Sequence, residues 1–396
     1  MDNNPVLDAY FRLPVEIIRG QGAYLYDSSD KQYLDFASGI AVTNIGHNNH
    51  HINQALINQI SNLWHCSNLF TIKGQQRLAQ RLVDLSFADK VFFCSSGLEA
   101  VECAIKMIRK YAFETKGEQS YEIITLEGGF HGRSIATLSA GGNEDARRGF
   151  GPLLEGFKQV KRNDIQALKA AITDKTAGIM LEPVQSEGGV YVLDKSYLQQ
   201  VRQITIEKDI ILCFDEVQTG YGRTGSLFAY QNLGFEPDIL ALAKGIGNGF
   251  PLAACLSRQR IAKFITPGTH GSTYGGNPLA MAVGNAVLDI ITGEGFLDNI
   301  GQLSEYLENS LQKVALQFPD IIKQVRGKGL IYGLEVNISA TKILKALIDN
   351  GLIVTKVAGD KVLRLLPPLV IEYKDIDLMQ DIMIKVLKTF RAAILA

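Results

Sequence analysis

What this 396-residue sequence lacks narrows its function before any motif is read. It has no excess of one charge: 40 Lys and Arg stand against 41 Asp and Glu, a formal net charge of −1. No field of one sign is available to draw in nucleic acid or a membrane surface, so neither is expected as a partner. Cysteine is scarce. The five residues, Cys66, Cys94, Cys103, Cys213 and Cys255, are odd in number and form no CxxC pair. That pattern argues against a disulfide framework and for reduced thiols in a cytoplasmic protein. No apolar run is long enough to span a bilayer. The N-terminal stretch "MDNNPVLDAYFRLP" is polar and has no signal-peptide core. Repeats and low-complexity tracts are missing too. The histidines of "GHNNHH" (His47, His50 and His51) have a spacing that suits no common metal site, and no metal is expected.

What is present reads as an α/β protein. Short β-rich runs occur at 91–96 ("VFFCSS"), 121–128 ("YEIITLEG"), 178–183 ("GIMLEP"), 210–216 ("IILCFDE") and 238–244 ("DILALAK"). Helix-period segments lie between several of them. In 98–116 the residues Leu98, Val101, Ile105, Ile108 and Ala112 fall on one face, and 196–208 behaves similarly. This alternation predicts a mostly parallel central sheet covered by helices. After about Gly293 the pattern changes to long amphipathic helices with strand-like "GLIYGLEV" and "KVLRLLPPLVI" between them, a smaller α+β C-terminal domain. The expected division is an N-terminal segment 1–52 that packs on the rest, a large domain 53–292 and a small domain 293–396. In the first segment, "GAYLYDSSDKQYLDF" alternates around a Ser-Ser-Asp turn, as a hairpin does.

The residues with chemistry sit at the ends of the apolar runs, where open α/β sheets bind ligands. Lys244 closes one such run and precedes "GIGNG". A lysine there either extends its head to water or is an amine kept inside for covalent chemistry. Asp215 and Glu216 end another run. They are compatible with acid/base work, with metal ligation, or with one capping aspartate beside a surface glutamate. The stretch "CSSGLEAVECAIK" is a strand, a small-residue turn and a helix start, which presents free N–H groups to an anion. A Schiff-base lysine, a carboxylate for a pyridinium nitrogen and a phosphate-binding helix start are together what pyridoxal phosphate requires.

In family order the chain carries "YLDFASGIAVTNIGH", "SSGLEAVECAIKMIRKY", "GGFHGRSIATLSA", "LEPVQSEGGV", "FDEVQTGYGRTG", "LAKGIGNGFP", "GTHGSTYGGNPLA", "RGKGL" and "LRLLPPLVI". By these motifs it resembles, over nearly its whole length, the class III pyridoxal-phosphate aminotransferases of fold type I, and within them the acetylornithine branch. The resemblance implies pyridoxal 5′-phosphate as cofactor. It implies that Lys244 bonds the cofactor and moves the substrate proton, that Asp215 meets the pyridine nitrogen, and that Gln218 meets the phenolic oxygen. Gly97 and Leu98 would offer backbone N–H groups to the phosphate, with Phe130 on the ring face and Val217 also among the cofactor-binding residues. Thr273, with Ser272 beside it, would reach the phosphate of a second subunit's cofactor, which implies a homodimer with shared sites. Arg133 is similar to the residue that binds the carboxylate of an acylated diamino acid. Arg364 is similar to the one that binds the α-carboxylate of 2-oxoglutarate or glutamate, and Glu187 to the glutamate that pairs with it in between. Tyr10 matches a tyrosine on the substrate side.

The implied reaction moves the distal amine of N2-acetyl-L-ornithine to 2-oxoglutarate. N-Succinyl-diaminopimelate, ornithine, succinylornithine and 4-aminobutyrate are alternative donors. The retained Lys244 and Asp215 speak against a silent member of the family, and two arginines with Glu187 speak against a decarboxylase or racemase. Four departures stand out: Leu98 where the class carries a small residue, Ser186 where it carries glycine, "GHNNHH" for the usual "GHxHP", and "VTN" where the acetylornithine branch commonly reads "VNxLG".

Overall fold

The apolar runs assemble into one seven-stranded sheet in a computed structural model that describes residues 5–395. Its strands in chain order are β1 (Lys90–Cys94), β2 (Glu122–Leu126), β3 (Phe157–Val160), β4 (Thr176–Leu181), β5 (Ile211–Asp215), β6 (Ile239–Leu242) and β7 (Ala253–Ser257). Their spatial order is β1-β7-β6-β5-β4-β2-β3. Only β7 runs against its neighbours, pairing antiparallel with both β1 and β6. The strands β4, β5 and β6 are buried along their whole length, as expected for parallel strands covered on both faces. Helix α1 (Gly97–Lys116) follows β1 and lies on one face. It buries Ala100, Val101, Ala104, Ile105, Ile108 and Ala112, an i, i+3/i+4 stripe. Leu98, expected on that stripe, sits at the first turn and is only half-buried.

The C-terminal part is built on an antiparallel sheet in the order Ile322–Lys328, Ile331–Val336, Val362–Leu365, Thr355–Val357. Helices Phe296–Gln317, Ala340–Asp349 and Tyr373–Leu395 accompany it. The N-terminal strands Tyr24–Asp27 and Gln32–Asp35 form a hairpin, whose turn is held by the Asp27 carboxylate accepting from the N–H groups of Ser29 and Lys31. This hairpin is tied to the C-terminal part. Leu352–Ile353 pairs in parallel with Gln32–Asp35, and Tyr33, Leu34 and Phe36 share one apolar cluster with Leu307, Leu347 and Leu365. Among the described residues no single helix is long and apolar enough to cross a membrane.

The bodies meet on Arg223, which is fully buried in the loop after β5. Its guanidinium donates to the carbonyls of Leu330 (2.9 Å) and Pro367 (2.5 Å) and to the side-chain oxygen of Asn44 (2.7 Å). Burial lowers its pKa to about 9, while the charge of Asp35 acts in the opposite direction.

Candidate active site

The carboxyl ends of β1, β2, β4, β5 and β6 open onto a cavity of ≈ 460 Å³. At the end of β1, Ser96 caps helix α1. Its hydroxyl accepts from the Glu99 N–H at 3.3 Å, and the Glu99 carboxylate accepts from the Ser95 N–H and the Ser96 hydroxyl, each at 2.9 Å. This arrangement uses the flanking donors and leaves the N–H groups of Gly97 and Leu98 without a partner among the described residues. A long helix contributes its positive end at the same point. Glycine is required here by contact, since a Cβ at Gly97 would lie 2.7 Å from Val217 Cγ1.

Asp215 ends β5 and is 4% exposed. One of its oxygens accepts from the Val217 N–H at 3.1 Å, and the other meets His131 Nδ1 at 2.8 Å. Burial alone would lower the His131 pKa, but the hydrogen bond and charge of Asp215, with the charge of Glu182, raise it above the usual value. Glu182, at the end of β4, accepts from the Phe130 N–H at 2.9 Å. Burial pushes its carboxyl up to about 8. Gln218 also lines the cavity, and its buried side-chain oxygen has no partner among the described residues.

Lys244 follows β6 at a φ of 50°, a left-handed conformation uncommon for a residue with a side chain. The next residue explains part of the turn: a Cβ at Gly245 would sit 2.3 Å from the Asn44 side-chain amide. The Lys244 amine lines the cavity. Desolvation lowers its pKa to about 8, although the charges of Glu187, Asp215 and Glu182 act the other way.

Two arginines address this space differently. Arg133 is exposed at its edge, with its guanidinium carbon 5.5 Å from the Phe130 ring centroid. It makes no salt bridge or hydrogen bond with another described residue. Arg364, on Val362–Leu365, is 2% exposed and lies behind the cavity wall. Its Nη1 donates to the Glu187 carboxylate and, at 2.9 Å, to Ser186 Oγ, and its Nε donates to Thr355 Oγ1 at 3.1 Å. Glu187 lines the cavity. Burial alone would raise the Glu187 carboxyl, but the charge and hydrogen bond of Arg364, together with Lys244 and Arg133, hold it below the ordinary range.

Lys244, Asp215, Gly97, Leu98, Phe130, Val217, Gln218, Arg133 and Glu187 therefore line one cavity. Four other expected residues do not, the first being Arg364, which stands behind Glu187. Thr273 and Ser272 lie on a turn outside it. Tyr10 is 76% exposed on a stretch with no strand or helix, where Val6, Leu7 and Phe11 also face outward, so the structure does not bring it to the cavity of its own chain. His47 and His51 pair with Asp35 and Asp289 at 2.8 and 3.2 Å. Sequence reasoning missed the His131–Asp215 bond and the grip of Ser186 and Thr355 on Arg364. Thr355 meets Arg364 through the antiparallel register of two strands, which no local motif reveals.

Comparison with known proteins agrees with this geometry. The family profile "Aminotransferase class-III" matches residues 8–387. The acetylornithine aminotransferase of Agrobacterium fabrum is 48% identical over 366 residues, covering 92% of each chain. Among solved structures, the ornithine aminotransferase of Toxoplasma gondii superposes with a TM-score of 0.94 at 31% identity, covering 98% of this chain and 94% of that one. The acetylornithine aminotransferase of Elizabethkingia anophelis gives 0.86 at 33% identity, covering 97% and 96%.

The cavity also fits the group such enzymes use. Two unpartnered N–H groups stand at a helix start, a buried amide oxygen is unsatisfied, a buried carboxylate is oriented by a histidine, and a desolvated amine shares their space. These suit the phosphate, phenolic oxygen, pyridine nitrogen and aldehyde of pyridoxal phosphate. The chain belongs to the class III aminotransferases, a family of pyridoxal 5′-phosphate-dependent transaminases.

Proposed function

We propose that this protein transfers the distal amino group of N2-acetyl-L-ornithine to 2-oxoglutarate, giving N-acetylglutamate 5-semialdehyde and glutamate, as a cytoplasmic homodimer in arginine biosynthesis. The observation that carries the reading is a pair of differently placed arginines near one amine. Arg133 is open and unpaired, whereas Arg364 is buried behind Glu187. A donor whose α-amine is acylated docks its carboxylate on Arg133 and presents its distal amine to Lys244. Glutamate and 2-oxoglutarate instead displace Glu187 and dock on Arg364, which brings their α-carbon to the same point. Planar guanidinium forks suit both tasks.

When bound, pyridoxal phosphate supplies an electron sink for the carbon losing its proton. Lys244 would hold it covalently and, once freed, would take and return that proton; its amine is suited to this because desolvation lowers its pKa to about 8, where half of it is neutral. Asp215, oriented by His131, would keep the ring nitrogen protonated. Gln218 would hold the phenolic oxygen, Gly97 and Leu98 the phosphate, and Phe130 the ring, with Val217 also in the cofactor site. Thr273, exposed on its own chain, would reach the phosphate in the second subunit, with the half-buried Ser272 beside it on the substrate side. The large domain 53–292 carries most of the site, and the small domain 293–396 carries Arg364. The cytoplasmic assignment rests on five free thiols, four of them buried.

The test is a set of single half-reactions without keto acid. Holoenzyme is mixed in turn with N-acetylornithine, ornithine, N-succinyl-diaminopimelate, succinylornithine and 4-aminobutyrate, and the visible band of the cofactor is followed. The fastest conversion is expected with N-acetylornithine. Faster conversion by the succinylated diaminopimelate would move the enzyme to lysine synthesis and overturn the proposed donor.

A further inference from the structure

We infer that Ser186 is a positioning residue that keeps Arg364 aligned for a substrate carboxylate while Glu187 moves. The inference rests on the reading of Arg364 as the α-carboxylate receptor and adds what holds that receptor still. A guanidinium has five N–H bonds in a fixed plane. In Arg364, Nε is committed to Thr355 Oγ1 at 3.1 Å, and Nη1 is shared between Ser186 Oγ at 2.9 Å and the Glu187 carboxylate. Nη2 has no hydrogen-bond partner among the described residues. If Glu187 swings into the cavity, two anchors remain, one at each end of the guanidinium. They fix its plane and leave one Nη1 hydrogen together with Nη2, the fork that receives a carboxylate in bidentate fashion.

Both anchors are well placed for this. Ser186 is 1% exposed, so its hydroxyl has no water to turn to instead. Thr355 is fixed to the same strand pair as Arg364 and also donates its hydroxyl to the Arg364 carbonyl at 3.3 Å. With glycine at position 186, Nη1 would lose its only partner besides Glu187, and the guanidinium would be free to follow the departing carboxylate. The two halves of the reaction use different arginines, so the effect of Ser186 falls on one half.

The test uses holoenzyme and two readouts. The first is calorimetric titration with glutarate, a dicarboxylate that cannot react. Ser186→Ala is expected to weaken glutarate binding about tenfold, as for loss of one hydrogen bond to a charged group, and Ser186→Thr, which keeps the hydroxyl, to recover most of that loss. The second readout is the pair of half-reactions. Ser186→Ala should raise the KM for glutamate about tenfold and slow the acetylornithine half at most about twofold. Arg364→Ala serves as the control and should weaken glutarate binding more than Ser186→Ala does, leaving only what Arg133 holds. If Ser186→Ala binds glutarate as the unaltered enzyme does, or slows both halves equally, Ser186 does not position Arg364. If Arg364→Ala binds glutarate as tightly as the unaltered enzyme, the reading of Arg364 itself fails, and the inference with it.

Discussion

Lys244 shows how much of the chemistry resides in the surroundings of one side chain. An ordinary lysine amine becomes neutral only near pH 10.4. Here desolvation lowers the value to about 8, and the charge of Glu187 is the largest influence opposing that shift. The sign follows directly. The neutral, nucleophilic fraction grows as pH rises through about 8. Cofactor-free protein treated with fluorodinitrobenzene and read by peptide mass spectrometry should show half-maximal labelling of Lys244 near that pH. Glu187→Gln should move the midpoint lower, because the opposing charge is gone. A midpoint at the ordinary lysine value would contradict the desolvated site. Part of this was legible in the sequence, since a lysine closing the apolar run "DILALAK" before glycines signals a desolvated amine. The His131–Asp215 contact was not, because the two residues lie 84 positions apart and meet only where β2 and β5 end on the same edge of the sheet.

At the scale of elements, the first turn of α1 is shaped as much by the neighbouring loop as by its own caps. Gly97 abuts Val217, which follows β5, so the helix start and the Asp215 strand end meet without room for a methyl group. Gly97→Ala should weaken cofactor retention about tenfold or more, since the clash has to push apart two parts of one binding surface. The double variant Gly97→Ala with Val217→Ala should regain most of it. Equilibrium dialysis of the cofactor measures both, and a Gly97→Ala protein that holds cofactor normally would refute the close fit.

The five strand runs predicted from sequence all appear in the central sheet, each within a few residues. β3 and β7 were not read. β3 is four residues long and mostly half-buried, and β7 ("AACLS") has small residues with no alternation to mark it. The antiparallel sense of β7 is likewise a tertiary fact, set by pairing between β1 and β6.

At the scale of the whole molecule, Arg364 and Lys244 belong to different parts of the chain, and Arg223 joins those parts. It bonds the N-terminal Asn44 and the C-terminal carbonyls of Leu330 and Pro367 from a loop of the central region. Arg223→Met leaves those buried acceptors unpaired and should lower unfolding stability by about 3 kcal/mol or more, read as a shift in the denaturant midpoint. A change within experimental error would mean that the parts are held together by apolar packing alone. Under the proposed function Thr273, exposed on its own chain, serves the site of a second subunit. Sedimentation of the holoenzyme should therefore give twice the chain mass of 43.5 kDa, and Thr273→Ala should loosen the cofactor.

The most direct test of the account is to trap the cofactor on the protein. Holoenzyme is reduced with borohydride, digested, and its lysine peptides are weighed. The account predicts that the cofactor mass appears on the peptide carrying Lys244 and that Lys244→Ala removes both the adduct and turnover. Cofactor trapped on another lysine, or normal turnover by Lys244→Ala, would contradict it.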